Sequence, residues 1–433
     1  MGAITRRDFL TLTGGLTAFT LGATVKILGK RWWEWTPTGI STAPPTEPPT
    51  PTSIEALYYT SFAREGSLNC QTCHESPEGW LPVSYCHTPH TGNFVRCNLC
   101  PHGCIIADGQ RGTCRVRENR GGSLFSMVYG NPCAVHVDPI EKKPFYHFLP
   151  TIAAFSIATA GCNMRCLYCQ NWTISQAPPE ETENVNLSPG MVAQMALQYQ
   201  APVIAYTYSE PIIFYEYMLK TAQAAREAGL YNVVISAGFI HTKPLLDLCE
   251  VVDAIKIDLK GYDEDFYRQV CSAELKPVLD TIKTIYESKI HLEIVNLVVP
   301  TLNDRLDQLK ALSHWIANEL NPDIPLHFSR FQPQYKLANL PATPVETLER
   351  AREVAMNEGV RFVYIGNVPG HYGNNTFCPN CGRMIIARYG FGVQEYHLKA
   401  GACEYCNQPI PGVWWPDKPE GKPVEILPGP VDH

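Results

Sequence analysis

Charge is scarce in this chain, and an excess of basic residues is absent. Only 18% of the 433 residues are charged and the net charge is −7, so nothing in the composition would draw the chain to nucleic acid. Near the amino terminus, the uncharged stretch at residues 9–25 is short for a membrane span and rich in threonine and glycine. An apolar fraction of 45% still indicates a globular protein, and the length allows more than one domain.

Cysteine, in contrast, is abundant. The chain has 17 cysteines, and 12 of them fall in clusters with C-x2-C or C-x3-C spacing, which favours metal sites over a disulfide framework. The central cluster is Cys162, Cys166 and Cys169. Three thiolates on one short loop can hold three irons of a four-iron cluster and leave the fourth open, whereas electron carriers usually use four cysteines. The spacing therefore predicts an iron–sulfur catalyst rather than a zinc loop.

From residue 151 onward, apolar strands alternate with helical stretches. This order predicts one parallel sheet that curls into a partial or full barrel, with ligands beyond the carboxyl ends of its strands. The central cysteine loop follows the first strand, so it lies on the ligand side. The predicted strands are residues 153–159, 203–208, 232–237, 254–260, 292–298, 326–331 and 362–368. The predicted helices are residues 189–199, 211–228, 243–251, 275–288, 305–320 and 344–358.

The cysteine loop, with Tyr168 beside its last cysteine, resembles that of radical S-adenosylmethionine (SAM) enzymes. Over most of residues 53–415 the chain resembles the pyruvate formate-lyase activating enzyme group, and within it the AmmeMemoRadiSam-system enzymes. The resemblance implies an α/β fold with a partial (β/α)6 barrel and a [4Fe–4S] cluster that reductively cleaves SAM to a 5′-deoxyadenosyl radical. That radical would abstract hydrogen from a substrate. The sequence does not identify this substrate, which could be a protein or a small molecule. A reducing electron donor is also implied.

The same resemblance implies contacts to SAM from the loop and from later strands. The segment that ends in Glu210-Pro211 resembles a Gly-Gly-Glu-Pro motif, although Tyr208 and Ser209 replace its two glycines. From the residues alone, Glu210 could instead be a carboxylate at a helix amino terminus. Likewise, Asp258 and Lys260 could simply pair at the barrel mouth, and His327 could be structural. The implied SAM-binding residues are Tyr168, Glu210, Asp258, Lys260, Asn296 and His327.

Two further sets of four cysteines have metal-ligand spacing. The first set follows the pattern C-x2-C-x3-C-x9-C and consists of Cys97, Cys100, Cys104 and Cys114. Four thiolates at this spacing suit either zinc or an auxiliary four-iron cluster. The second set forms two C-x2-C knuckles and consists of Cys378, Cys381, Cys403 and Cys406, for which we predict zinc. Cys249 and Cys271 have no partner in the sequence pattern and read as ordinary thiols.

A C-x-x-C-H motif stands at Cys70, Cys73 and His74. This is the attachment pattern for c-type haem, and the competing interpretation is zinc bound with Cys86 and a histidine, or a cluster. If this motif binds haem, an alternative function is predicted: an exported electron-transfer protein with iron–sulfur and haem centres.

The amino terminus matches an export signal. Arg6-Arg7 stands in a twin-arginine pattern at residues 5–10, before the uncharged stretch. We expect export to the periplasm or cell surface, with the segment either cleaved or kept as a membrane anchor; without use of the signal the chain stays in the cytoplasm.

The predicted parts are residues 1–31, the signal or anchor; 32–52, a Pro/Thr-rich linker; 53–149, a Cys-rich metal-binding module; 150–370, the core barrel; 371–415, zinc-ribbon-like knuckles; and 416–433, a tail.

Overall fold

The structure, a computed structural model, describes residues 52–64 and 92–414. The predicted signal, the C-x-x-C-H motif and the tail therefore lie outside the described residues. None of the helices within the described ranges is long and apolar enough to cross a membrane.

The described strands number 19. In chain order they are β1 (Ile54–Glu55), β2 (Tyr59–Arg64), β3 (Gly92–Cys97), β4 (Ile105–Ala107), β5 (Arg117–Arg120), β6 (Ser123–Ser126), β7 (Ala134–Pro139), β8 (Ala153–Ala158), β9 (Val203–Tyr206), β10 (Tyr231–Ser236), β11 (Ala254–Asp258), β12 (His291–Val298), β13 (Leu326–Arg330), β14 (Val363–Gly366), β15 (Thr376–Phe377), β16 (Met384–Tyr389), β17 (Gly392–Tyr396), β18 (Leu398–Lys399) and β19 (Ala402–Cys403).

Helices connect most of the later strands. The α-helices are Trp172–Ser175, Pro189–Gln198, Tyr215–Glu227, Thr242–Cys249, Glu264–Phe266, Leu275–Glu287, Leu306–Trp315 and Val345–Asn357. The 3-10 helices are Ile140–Lys142, Pro179–Glu181, Pro211–Phe214, Tyr335–Leu337 and Tyr372–Asn374, and two π-helical turns are Tyr267–Cys271 and Ile316–Leu320.

One eight-stranded sheet organises the centre of the protein, in the order β14-β13-β12-β11-β10-β9-β8-β7. The strands from β8 to β14 are parallel neighbours, and a helix lies in each connection between them. All four residues of β9 are buried, as expected where helices cover a parallel sheet. The seven strands match the predicted ones within two residues at every end. The predicted α/β fold with a partial barrel is confirmed.

The edge strand β7 was not among the predicted strands. It pairs antiparallel with β8, from Ala134 opposite Ala158 to Pro139 opposite Ala153. Its polar residues His136 and Asp138 interrupt the apolar pattern, and a proline at an edge strand costs no ladder hydrogen bond in the centre of the sheet. The segment predicted as a Cys-rich module therefore ends in a strand of the central sheet.

The connection from β7 to β8 covers the amino-terminal part of one sheet face. Phe145 and Phe148 are fully buried in a cluster with Val203, Val233 and Ala254, which stand near the starts of three parallel strands. We call this connection, residues 140–152, the plug. The central cysteine loop lies at the opposite, carboxyl-terminal edge of the sheet.

A buried carboxyl group in the plug gives the fold a pH dependence. Glu141 accepts a hydrogen bond from the backbone N–H of Thr151 at 2.9 Å, and burial raises the pKa of Glu141 to about 7. The folded state holds this proton more tightly than the unfolded chain does. Stability should therefore fall as pH rises from about 4.5 to about 7 and level off above that range.

We predict that Glu141→Gln stabilises the protein at pH 8 by about 2–3 kcal/mol and has a much smaller effect at pH 5, because the amide stays neutral. Anaerobic thermal melting at the two pH values measures this difference. Glu227→Gln, at an exposed position in a helix, is the matched control and should show no such pH dependence. An equal effect of Glu141→Gln at both pH values would contradict the assignment.

Candidate active site

The central cysteine loop begins just beyond the carboxyl end of β8. Cys166 is buried, and Cys162 and Cys169 are half-buried. The backbone N–H groups of Arg165 and Leu167 donate to the carbonyls of Cys271 and Val270, both at 2.9 Å. The three thiols thus stand on a loop whose path is fixed by neighbouring backbone.

Gly161 fixes the start of the loop. Its φ is +91°, a conformation that glycine adopts without strain. A Cβ at this position would lie 2.6 Å from the carbonyl oxygen of Cys114 and 2.7 Å from a methyl group of Val116. The loop therefore approaches the Cys-rich segment more closely than any side chain would permit.

Sequence reasoning missed the position of Cys271, which read as an ordinary thiol without a partner. The structure places it, buried, at the end of a π-helical turn, with its sulfur 3.5 Å from the hydroxyl of Tyr168. A hydrogen bond from the Cys271 thiol lowers the pKa of Cys166, and the nearby Lys260 adds to the effect against burial. A fourth sulfur thus lies beside the loop, and no sequence spacing could have indicated it. Tyr168 is itself buried and stacks on Phe266, and its contact with SAM stays a prediction.

Glu210 lies buried at the start of the 3-10 helix after β9. Its carboxylate accepts hydrogen bonds from the Ser236 hydroxyl at 2.7 Å, from the Ala237 N–H at 2.9 Å and from the Ile212 N–H at 3.2 Å. The last bond is a helix cap, so the carboxylate has the structural role that the sequence left open. Burial raises the pKa of Glu210. A carboxylate offers about four acceptor positions, so its predicted contact with SAM stays compatible with these bonds.

Tyr208, which stands where the resembling motif has glycine, adopts a φ of +63°. This left-handed conformation is unusual for a tyrosine and ordinary for glycine. The Tyr208 hydroxyl contacts Asp138, and the Lys143 ammonium lies 4.7 Å from the ring centroid. The backbone at Tyr208 therefore has a conformation that a glycine would adopt without strain.

Asp258 and Lys260 are brought together at the end of β11. The Asp258 carboxylate contacts Lys256 and lies 3.0 Å from the Lys260 ammonium. Burial alone would raise the pKa of Asp258, but the two lysines outweigh it and lower that pKa to about 2. A carboxylate and two ammonium groups thus form a compact charged cluster at the ligand side of the sheet. Such a cluster could bind the polar groups of SAM, and this contact stays a prediction.

Asn296 in β12 has a buried side chain whose amide nitrogen donates to the Leu259 carbonyl at 2.8 Å. Within residues 52–64 and 92–414, its buried side-chain oxygen has no hydrogen-bond partner. Buried acceptors of this kind are rare, because leaving one unpaired costs about 1–3 kcal/mol. An unpaired acceptor beside the end of β11 fits a ligand that supplies a donor, such as a ribose hydroxyl.

His327 in β13 has a strong structural partner. Its ring nitrogen lies 2.7 Å from the buried Glu293 carboxylate, and its ring meets Tyr146 edge-on. Burial lowers the pKa of His327, against the pull of Glu293. The structure therefore shows the structural role that the sequence left open, and contact of His327 with SAM stays a prediction.

The knuckle cysteines Cys378, Cys381, Cys403 and Cys406 come together as the sequence predicts. Their four sulfurs all lie within 4.8 Å of one another, so this group could bind a metal ion. Across residues 52–64 and 92–414 it is the one group of three or more potential ligands that meets so closely.

Comparison with known proteins agrees with this geometry. The profile of the Radical SAM superfamily matches residues 156–312. An uncharacterized protein of Methanocaldococcus jannaschii is 49% identical over 320 residues, which cover 73% of this chain and 95% of that protein. The pyruvate formate-lyase 1-activating enzyme of Escherichia coli K12 is 22% identical over 219 residues, or 47% of this chain and 89% of that enzyme.

Among solved structures, a radical SAM methyltransferase from Sphaerobacter thermophilus aligns with 13% identity and a TM-score of 0.41, over 55% of this chain and 71% of that one. The chain belongs to the radical SAM superfamily and is an enzyme. Membership implies a [4Fe–4S] cluster and SAM as cofactors. The three thiols of the central loop and the unpaired acceptor of Asn296 fit these two groups.

Proposed function

We propose that this chain is an activating-type radical SAM enzyme in which Cys162, Cys166 and Cys169 hold the cluster and leave one iron for SAM. The observation that carries the proposal is the set of three thiols on a fixed loop at the carboxyl end of the first parallel strand. When bound by these three thiolates and reduced by one electron, the cluster would supply the electron that splits SAM into methionine and a 5′-deoxyadenosyl radical, and that radical would remove hydrogen from the substrate.

The residues of the following strand ends would orient SAM. Lys256 and Lys260 hold the Asp258 carboxylate in its charged form, ready to accept hydrogen bonds from the ammonium or ribose hydroxyls of SAM. The unpaired oxygen of Asn296 offers a further acceptor. Both groups sit at the edge of the sheet where ligands of parallel sheets bind.

We predict that Asp258→Asn weakens SAM binding about 10- to 100-fold, because the amide loses the charge that accepts strong hydrogen bonds. Anaerobic binding titration with SAM measures this change. Asp280→Asn on an exposed helix position is the matched control and should bind SAM like the unaltered enzyme. Equal affinities for the two variants would remove Asp258 from the SAM site.

The relatives' names support a proposal for the substrate class. Similar proteins are named as activating enzymes of pyruvate formate-lyase, so we propose a protein substrate on which a glycyl radical is formed, with a reducing electron donor as second partner. The direct experiment incubates the reduced enzyme and SAM with pyruvate formate-lyase, the protein that the relatives' names give, and looks for a protein-bound glycyl radical by electron paramagnetic resonance.

The knuckle cysteines are proposed to hold zinc. The sulfurs of Cys378 and Cys406 are 3.5 Å apart and those of Cys381 and Cys403 are 3.8 Å apart. Tetrahedral zinc with Zn–S bonds of about 2.3 Å requires sulfurs about 3.8 Å apart. The group is thus shaped for a single tetrahedral ion.

We predict one zinc ion per chain that is lost in Cys381→Ala, because removing one ligand opens the tetrahedral site. Cys249→Ala, which removes a half-buried thiol that is not one of the knuckle cysteines, should retain the zinc. Elemental analysis of both purified variants measures the difference. Retention of zinc by Cys381→Ala would contradict the proposal.

Export is proposed from the Arg6-Arg7 pair. A reporter protein that carries residues 1–31 should reach the outer side of the membrane, and changing both arginines to lysine should stop it. Export of the doubly changed segment would contradict use of the twin-arginine route.

A further inference from the structure

A cavity lies where the Cys-rich segment meets the central loop. Its empty volume is about 350 Å³, counting the space at its mouth. All four cysteines of the first metal-like set line it: Cys97, Cys100, Cys104 and Cys114. Apolar side chains such as Ile106 and Ile212 close much of the remaining wall.

The spacing of these four sulfurs differs from that of the knuckle cysteines. The knuckle sulfurs meet within 4.8 Å, whereas the cysteines of the cavity do not form such a group in the described part of the chain. A single zinc ion would draw its four sulfurs to about 3.8 Å from one another. Four thiols that surround an open space instead suit a larger inorganic core with an iron at each thiolate.

A buried cation also faces this cavity. Arg117 lines the cavity wall and is almost fully buried, with its side chain only 2% exposed. One of its terminal nitrogens donates to Glu216 at 2.6 Å, but Nε and the other terminal nitrogen are buried and have no hydrogen-bond partner among the residues that the structure describes. Buried N–H groups of a guanidinium require an acceptor. Thiolates and sulfides of an anionic cluster would supply it.

The cavity adjoins the catalytic loop directly. Asn163, the residue after Cys162, lines the cavity, and its backbone carbonyl accepts a hydrogen bond from the His102 ring at 2.5 Å. On the other side, Gly161 lies against the backbone of Cys114. The cavity cysteines and the cysteines of the central loop are therefore connected by two direct contacts, His102 with Asn163 and Cys114 with Gly161.

We propose that Cys97, Cys100, Cys104 and Cys114 hold a second [4Fe–4S] cluster, fully ligated by protein and charge-compensated by Arg117. The site is distinct from the SAM site, since all four irons have a thiolate. The proposal chooses iron–sulfur over zinc, the two alternatives that the cysteine spacing leaves open. It does not depend on whether the central loop cleaves SAM.

The test uses the full-length chain, reconstituted anaerobically with iron and sulfide. A background variant replaces Cys162, Cys166 and Cys169, and also Cys70 and Cys73, by alanine. The remaining iron then reports on the cavity. We expect about four irons with about four sulfides per chain in this background, and a reduced-cluster signal that SAM does not alter. Adding Cys100→Ala and Cys104→Ala should remove that iron and sulfide, whereas adding Cys133→Ala, a half-buried thiol outside the cavity, should not.

Two outcomes overturn the proposal. One is a folded background variant that holds no acid-labile sulfide and binds a second zinc ion, and the other is a folded background variant that binds no metal beyond the zinc of the knuckle cysteines. Because unaltered enzyme is assayed in parallel for 5′-deoxyadenosine, failure of this inference is distinguishable from failure of the proposed function. If the doubly altered variant does not fold, the sulfide content of the background variant alone decides.

Discussion

Replacing Cys166 by alanine is expected to lower 5′-deoxyadenosine formation by at least about a thousandfold, equivalent to roughly 4 kcal/mol in the barrier. Two thiolates do not hold the cluster in the position that SAM requires, so the loss should exceed any effect of packing. The assay is anaerobic reconstitution, reduction with dithionite, addition of SAM and quantification of 5′-deoxyadenosine. The knuckle zinc should remain in the variant, because its ligands lie elsewhere in the chain.

Cys271→Ala is the matched control. It removes a second buried thiol from the same surroundings, next to Tyr168 and Cys166. Because Cys271 is not among the proposed iron ligands, we expect product formation within about threefold of the unaltered enzyme. A severe loss in Cys271→Ala together with activity in Cys166→Ala would show that the wrong thiols had been assigned to the cluster.

Truncating Glu293 to alanine is expected to destabilise the fold by about 3–5 kcal/mol, the usual cost of removing one partner from a buried charged network. The carboxylate accepts hydrogen bonds from the backbone N–H groups of Tyr146 and His147 at 2.8–2.9 Å. The rings of His327 and His291 lie 2.7 and 3.1 Å from it. Glu293 therefore ties the plug to β12 and β13, and its loss leaves several buried donors unpaired.

The same carboxylate predicts a loss of stability in acid. Burial would raise the pKa of Glu293, but the bonds from His291 and His327 outweigh it and hold that pKa well below its usual value. Its contribution is therefore present above about pH 4.3 and is lost as pH falls toward the folded-state pKa. Anaerobic thermal melting at pH 7 should show a midpoint lower by about 3–5 °C for Glu293→Ala. The exposed Glu287→Ala is the control, and equal midpoints for the two variants would contradict the network.

The parallel strands could be predicted because their apolar runs are nearly continuous, as both faces are covered. The edge strand β7 could not, since His136 and Asp138 break its apolar pattern. Helix starts could also be predicted where a capping residue precedes a proline. Ser188 accepts a hydrogen bond from the Met191 N–H just before the helix that begins at Pro189.

Metal-ligand spacing predicted which cysteines group together along the chain but not the shape of each group. Cys97-x2-Cys100 and Cys378-x2-Cys381 have the same local spacing, yet only the second belongs to a group of closely meeting sulfurs in the described residues. The difference comes from the surrounding walls, which only tertiary packing determines. Cys271 is a further case, because its contact with Tyr168 joins residues far apart in the sequence.

The most direct test of the account is the electron paramagnetic resonance spectrum of the dithionite-reduced enzyme, recorded before and after SAM is added. If one iron of the cluster on Cys162, Cys166 and Cys169 has no protein ligand, SAM should bind to it and shift the signal. We expect this shift to disappear in Cys166→Ala and to persist in Cys271→Ala. A spectrum that SAM leaves unchanged, from a protein with a fully assembled central cluster, would contradict the vacant coordination site on which the proposed chemistry depends.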